Sequence, residues 1–422
     1  MRAKLLILAS SIGMLGWGAV LPYQYAYAAD TRGWGAFVAA AASSLFSVGA
    51  LVAAPIAGRL SDRFNPVHVA VVAQLLGTAG AASLIFADGP VVFLGGMLVF
   101  GLGLAAAAPA KQVLALEWSS SGDRRKVFAY KFTGEALGMA AGAFLAGLII
   151  DLGRADGLDV GFLMAAAGFA LSSAIIAFAG RGGRVVSEFT ADAALEGGQA
   201  GDRPRGIFRL VFANPALRWT SVIMIAIALG FFAQFESGMP AYGITVLAVD
   251  PSAVGIAAAV NCIVIVALQV IVVRLTAKYS APLLLMAVGG IWVVAWIVLA
   301  GAQLAPGVAP ALFVMTYGIF AVGETIYSPV LNPLIASLAP KGMVGSTLGA
   351  MSALQTAFTA AGPLVAGVLL GAGLIDAFLG MHLALSGLAV FAAWRLHRVI
   401  TGARVRYEPP TRPIAMVDPV DA

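Results

Sequence analysis

The stretch RLSDRF, Arg59–Phe64, returns in altered form as RLTAKY, Arg274–Tyr279. Sliding the second half of the chain back by 215–220 residues brings two more pairs into line. FGLGLAAAAP (Phe100–Pro109) falls on FAVGETIYSP (Phe320–Pro329), and GAFLAGLII (Gly142–Ile150) falls on GPLVAGVLL (Gly362–Leu370). One such match could arise by chance; three in register could not. The chain is a tandem repeat, and its two halves should fold alike.

Composition says in what solvent. Of 422 residues, 61% are hydrophobic and 11% charged, against about half and about a quarter in soluble domains. No core of this size could hide so much apolar surface from water, so the solvent is lipid. Roughly 20 apolar residues cross a bilayer as a helix. Cutting at charged and Pro-, Gly- or Asp-rich breaks predicts twelve spans: 5–28, 35–58, 67–86, 90–116, 127–150, 160–180, 216–242, 252–273, 280–303, 308–338, 346–371 and 376–396. Lipid forbids unpaired backbone, so all are helices. The expected fold class is an all-α membrane protein, twelve transmembrane helices in two six-helix bundles related by a pseudo-two-fold axis. Parallel repeats of this kind place a substrate site between the bundles near midplane. The expected layout is an N-terminal bundle (1–180), a polar linker (181–215), a C-terminal bundle (216–398) and a disordered, proline-containing tail (399–422).

Lysine and arginine set the orientation. With both termini cytoplasmic, the outer loops hold only Arg32 and Arg154, beside Asp30, Asp88, Asp151, Asp156, Asp159, Asp250 and Asp376. A plasma-membrane location follows as the expectation. The N-terminus, MRAKLLILAS followed by AYAAD, imitates a signal peptide. Its apolar stretch is of spanning length, so it is expected to stay as the first helix. The net charge of +5 is not clustered as nucleic acid would require, so no nucleic-acid partner is expected. One cysteine, Cys262, and three scattered histidines offer neither a disulfide nor metal-ligand spacing. No metal or other cofactor is expected.

GRLSDRF, Gly58–Phe64, resembles the signature between spans two and three of the major facilitator superfamily, G-x-L-a-D-R-x-G-r-r. Gly58, Leu60, Asp62 and Arg63 match; Asn65 replaces the later glycine and Val67–His68 the basic pair. Span count, linker and repeat extend the resemblance over essentially the whole chain. It implies a transporter working by alternating access, with Gly58, Asp62 and Arg63 as a conformational latch. In the family the aspartate caps a helix of the other half when the protein faces outward. Here the helix starting near Gly345–Ser346 is the expected partner of Asp62, and Glu117 or Asp123 that of Arg63. Ala277 stands where the second copy would repeat Asp62. The drug/proton antiporters of the superfamily are the nearest analogy, with departures: Met97 replaces their span-four arginine and Met139 the proline of their span-five motif.

Away from their ends, the predicted spans hold Lys111, Lys131, Glu135, Glu236 and Glu324. A charge at midplane costs about 3 kcal/mol on insertion scales and so normally faces a bundle interior or water. Glu324 is the deepest, and no other charge lies between Ala309 and Leu338. Burial favours its neutral form, which suits a group protonated in one facing and ionised in the other; a permanently protonated structural role is the alternative. Pro329 cannot donate to the carbonyl of Thr325, nor Pro333 to that of Pro329. The helix is weakened beside Glu324, with Tyr327, Ser328 and Asn332 as nearby polar groups. Lys131 and Glu135, four apart, share a helix face and with Lys111 could form a cluster of one net positive charge; snorkelling of both lysines is the bland alternative. Gln24, Asn261 and Gln355 are candidate substrate contacts near midplane. Trp17, Tyr23, Phe231, Phe235 and Tyr317 could wall the cavity, while an interfacial belt is the preferred reading for Tyr23, Tyr25, Tyr27 and Trp34. Gly134, Gly138 and Gly142 suit close helix packing.

No Gly-rich phosphate loop is present, so ATP drive within this chain is not expected, and no catalytic constellation points to an enzyme. The leading reading is a monomeric, proton-coupled antiporter exporting a small amphipathic drug or metabolite. The alternative is an organic-anion carrier of monocarboxylate or oxalate type, with Lys111 and Lys131 as anion contacts.

Overall fold

The computed structural model describes residues 1–120, 122–181 and 207–406. Among them every regular element is a helix. The spans are α1 Arg2–Val20, α2 Gly35–Arg63, α3 Pro66–Ile85, α4 Pro90–Glu117, α5 Arg124–Gly147 and α6 Asp159–Gly180 in the first half. In the second they are α7 (215–245), α8 Pro251–Thr276, α9 Ala281–Gly301, α10 Ala309–Leu338, α11 Val344–Gly371 and α12 Ile375–Arg406. Eleven are long and apolar enough to cross a membrane. The other is α5, whose apolar character Lys131 and Glu135 dilute; it packs along α1 as a full member of its bundle.

Local chemistry explains the boundaries. Proline at the first helical position fits where the backbone N–H has no partner anyway, and it opens α3, α4, α7 and α8. The Asn65 carboxamide caps α3 by accepting from Val67 N at 3.0 Å, and Asn214 accepts from Ala216 N at 2.9 Å at the start of α7. Each half begins with a helix that is distorted towards the end away from the termini. After α1 a turn leads to the short helix Gln24–Ala26 and a π turn, Tyr27–Thr31. Inside α7, π turns occupy Ala228–Phe232 and Gln234–Gly238. The indole of Trp296 donates to Gly230 O at 3.2 Å, supplying a side-chain partner at the first of these turns.

Three sequence expectations need correction. α2 runs through Arg63, so Asp62 and Arg63 stand in its last turn and not in a loop. The expected linker contains a short helix, Ile207–Ala213, and the expected disordered tail begins as the end of α12, which reaches Arg406; residues 182–206 and 407–422 lie outside the described residues. Several expected cavity or belt aromatics are core. Trp17 stacks on Phe46 at 4.3 Å, Phe231 packs between Trp292 and Phe320, and Tyr27 and Tyr317 are buried.

The halves meet at the end that carries both termini, through α2 against α11 and α5 against α8 and α10. Gly58 lets α2 and α11 touch there: a Cβ on it would strike the backbone of Gly345 and lie 3.0 Å from Gly349 Cα. Gly58→Val is therefore expected to wedge this end apart, read as increased alkylation of cysteines placed at the α2–α11 crossing. Gly138 and Gly142 do the equivalent inside the first bundle, each seating α5 against the backbone of α1.

Candidate functional site

The second half holds a buried polar group at mid-helix. Glu324 is 6% exposed, close to the centre of α10. Its Oε1 accepts from Asn261 Nδ2 on α8 at 2.8 Å, and the same amide reaches Tyr317 O at 3.3 Å. Two residues separately singled out in the sequence thus form one site. Tyr327, one turn further along α10, has its ring 5.7 Å from Phe232 and 6.2 Å from Trp292, and its hydroxyl has no hydrogen-bond partner among the described residues.

The carbonyl that Pro329 leaves without its usual helical donor is answered from α8. Gln269 Nε2 donates to Thr325 O at 3.0 Å in a buried setting. Gln269 was not singled out from sequence; the signal was there, because a proline-freed carbonyl at membrane depth demands a donor and α8 is the neighbour that carries amides. Asn261 and Gln269 lie two helical turns apart on α8, and both reach α10 around Glu324. An unmet buried carbonyl costs about 1–3 kcal/mol. Gln269→Leu should therefore lower the thermal midpoint of the purified protein measurably, while the same replacement at Ile263, which is exposed on α8, should not.

The first half holds a second set. Lys131 Nζ lies 2.7 Å from Glu135 Oε1, one helical turn away. The expected three-membered cluster does not close: Glu135 pairs with Lys131, and no ion pair joins Lys111 to it among the described residues. Both lysines are buried, which excludes snorkelling. Gln24 is also corrected. It is buried but lies beyond the end of α1, in the short helix at the far end of the bundle, because α1 stops at Val20. Gln355 is half-buried on α11. The side chain of Glu236 is outside the described residues.

At the terminus-bearing end, Asp62 sits on the N-terminus of α11. Its Oδ1 accepts from Gly345 N at 2.5 Å and its Oδ2 from Ser346 N at 2.6 Å, and the Ser346 hydroxyl closes on the same oxygen. A carboxylate there meets both unpaired amides and the positive end of the helix dipole. The Arg63 guanidinium lies 5.7 Å from the Phe64 ring. Asp123 is held by Ser120 and by Lys126 at 3.2 Å, which keep its carboxyl below the usual range.

A second junction was missed from sequence. Arg125, at the start of α5, donates to Thr276 O at 3.1 Å, Ala277 O at 3.2 Å and Tyr279 O at 3.1 Å, just past the C-terminus of α8. These acceptors belong to RLTAKY, the second copy of the opening motif.

Twelve helices in two like halves, eleven of them long and apolar enough to cross a membrane, have the architecture of a membrane transporter. The chain belongs to the Major Facilitator Superfamily, whose family model matches residues 6–363. Among solved structures it is similar to a bacterial homologue of the iron transporter ferroportin in an outward-facing state, with 16% identity over 94% of this chain and 99% of that one and a TM-score of 0.73. It is also similar to the human organic anion transporter MFSD10 (TETRAN), with 17% identity over 93% and 98% and a TM-score of 0.65. No curated protein matches it in sequence. Family and fold together make the chain a multi-pass membrane transporter and not an enzyme.

Proposed function

We propose that this transporter is a proton-coupled antiporter, exporting an amphipathic drug or metabolite across the plasma membrane, with both termini cytoplasmic. The observation that carries the reading is Glu324: an acid at mid-depth of α10, buried, held by one amide from α8, in a helix weakened by Pro329 and Pro333. A carboxyl so placed can give its proton to one side and take a cationic or proton-bearing cargo from the other. Asn261 keeps it oriented in both protonation states, since an amide can donate to either form of the acid.

In this reading the Asp62 and Arg125 junctions close the cytoplasmic side, and the described conformation is the outward-facing one. Gly58 permits the crossing, and Arg63 belongs to the latch as cytoplasmic positive charge. The organic-anion reading has two buried lysines in its favour, Lys111 on α4 and Lys131 on α5, but Lys111 stands among polar groups of its own bundle, near Ser172 and Gln74. Glu135 neutralises the charge of Lys131 at 2.7 Å, so the exporter reading is preferred.

The test is lumenal pH in proteoliposomes of the purified monomer under an imposed proton gradient, while organic cations and then organic anions are added. Cation-evoked dissipation of the gradient supports the proposal. Anion-evoked movement, insensitive to every cation, replaces it with the carrier reading.

A further inference from the structure

Inside the first bundle, away from Glu324, four helices turn unsatisfied polar groups towards one another. Ser10 on α1, Gln74 on α3 and Ser172 on α6 are each fully buried, and Lys111 on α4 is 5% exposed. The Ser10 hydroxyl, the Ser172 hydroxyl and both ends of the Gln74 carboxamide have no hydrogen-bond partner among the described residues. The Lys111 ammonium makes no ion pair among the described residues.

These groups share a small space. A Cβ placed on Gly13 would lie 3.6 Å from Lys111 Nζ, 3.6 Å from Ser172 Oγ and 3.8 Å from Gln74 Oε1. Gly13 has no Cβ, so the space it leaves is lined by an ammonium, a hydroxyl and an amide. Ser10 is three residues before Gly13 on the same face of α1.

Physical chemistry makes this arrangement incomplete as it stands. A buried ammonium needs a counter-charge, or it costs several kcal/mol. Buried hydroxyls and amides are nearly always paired. The carboxylate whose field reaches Lys111, Glu135, is already committed to Lys131 at 2.7 Å. One negative charge with room for several donors would complete the set. Donors also outnumber acceptors here: three ammonium hydrogens, two hydroxyls and a carboxamide that can turn its NH2 inward.

We infer that Ser10, Gln74, Lys111 and Ser172 form a binding site for a small inorganic monovalent anion, chloride in size and charge, resident within the N-terminal bundle. The enclosure selects a resident ion over a cargo. α3 and α6 pack on helices of their own half, and the described contacts between halves run through α2, α4 and α5. Ser10, Gln74 and Ser172, all fully buried, hold it inside the bundle, although α4 also touches the other half. Its role is to neutralise Lys111 and tie four helices together.

The test uses the full-length protein in detergent, exchanged from sodium chloride into sodium gluconate at fixed ionic strength. Chloride added back should raise the thermal midpoint saturably, and radiolabelled chloride should bind with one site per chain. Lys111→Met should abolish both. Should that variant fold poorly, Ser172→Ala and Gln74→Leu test the same site. A hydrogen bond to a charged group contributes about 1.5–3 kcal/mol, so each should weaken chloride binding by roughly tenfold or more. No saturable chloride dependence in the wild type, or dependence retained in Lys111→Met, would overturn the assignment. So would competition by a bulky organic acid such as benzoate, which would place the site on the cargo path.

Discussion

Glu324→Gln is expected to leave the protein folded and to stop substrate-evoked proton movement. Glutamine keeps the volume of the glutamic acid and an oxygen for Asn261 Nδ2 to meet at 2.8 Å. It cannot release a proton. In proteoliposomes the substrate-evoked pH change should fall to that of protein-free vesicles, while exchange of labelled substrate against unlabelled substrate continues. Stability should hold or rise, because the variant no longer has to bury an ionisable group that costs about 3 kcal/mol at midplane when charged. The two readouts separate a coupling role from a structural one. Proton movement unchanged in the variant returns Glu324 to the helix core as a hydrogen-bonded acid, and exchange lost along with proton movement in a folded variant makes it a cargo contact as well. Asn261→Leu is the graded companion. It leaves the acid in place but unheld, so coupling should weaken without vanishing, with a shifted pH dependence of transport.

The fold was legible because its determinants are periodic or repeated. Long apolar runs, charge asymmetry between loops and three in-register matches each survive errors of several residues. The distortions were barely legible. In LPYQYAYAAD only Pro22 marks where α1 stops; the expected span ran through it to 28, and the break after Val20 carried Gln24 from an expected midplane position to the far end of the bundle. The π turns of α7 depend on how its freed carbonyls are met, and the indole that meets Gly230 comes from α9, 66 residues on. The candidate site was half legible. Glu324 stood out by its charge, and the prolines announced a carbonyl in need, but the donor Gln269 is one uncharged residue in an apolar helix. Lys111 shows the limit most clearly. Its charge marked it as functional, whereas whether it faces Glu135 or the interior of its own bundle depends on a rotation of α4 that sequence does not specify.

Asp62→Ala is expected to shift the conformational equilibrium towards cytoplasmic opening by about a hundredfold, and Arg125→Ala by somewhat less. Asp62 accepts from two backbone amides and a hydroxyl at the start of α11. Charge-assisted bonds contribute about 1.5–3 kcal/mol each, of which water recovers a part when the junction opens, and 2.7 kcal/mol corresponds to a hundredfold change. Arg125 makes three bonds to neutral carbonyls, two of them at the solvent-exposed rim, so its loss should count for less. The two junctions occupy equivalent places in the repeat. Position 62 aligns with 277, and position 125 aligns with 345 under the span-five register. In both junctions the end of the second helix of one half accepts from the start of the fifth helix of the other. In one the acceptor is a side chain, Asp62, and the donors include backbone; in the other the donor is a side chain, Arg125, and the acceptors are backbone. The second copy could therefore lose its aspartate to Ala277 without losing its contact, because the charge reappeared on the opposite partner. If opening is a single rigid-body step, the two free energies should add, and the double variant should populate the open form more than either alone. The measurement is alkylation of a cysteine placed behind the junction, in a Cys262→Ala background, for the wild type, both single variants and the double. Equal alkylation in all four would mean that neither junction controls facing. A double variant no more open than Asp62→Ala alone would leave Arg125 as packing and Asp62 as the whole latch.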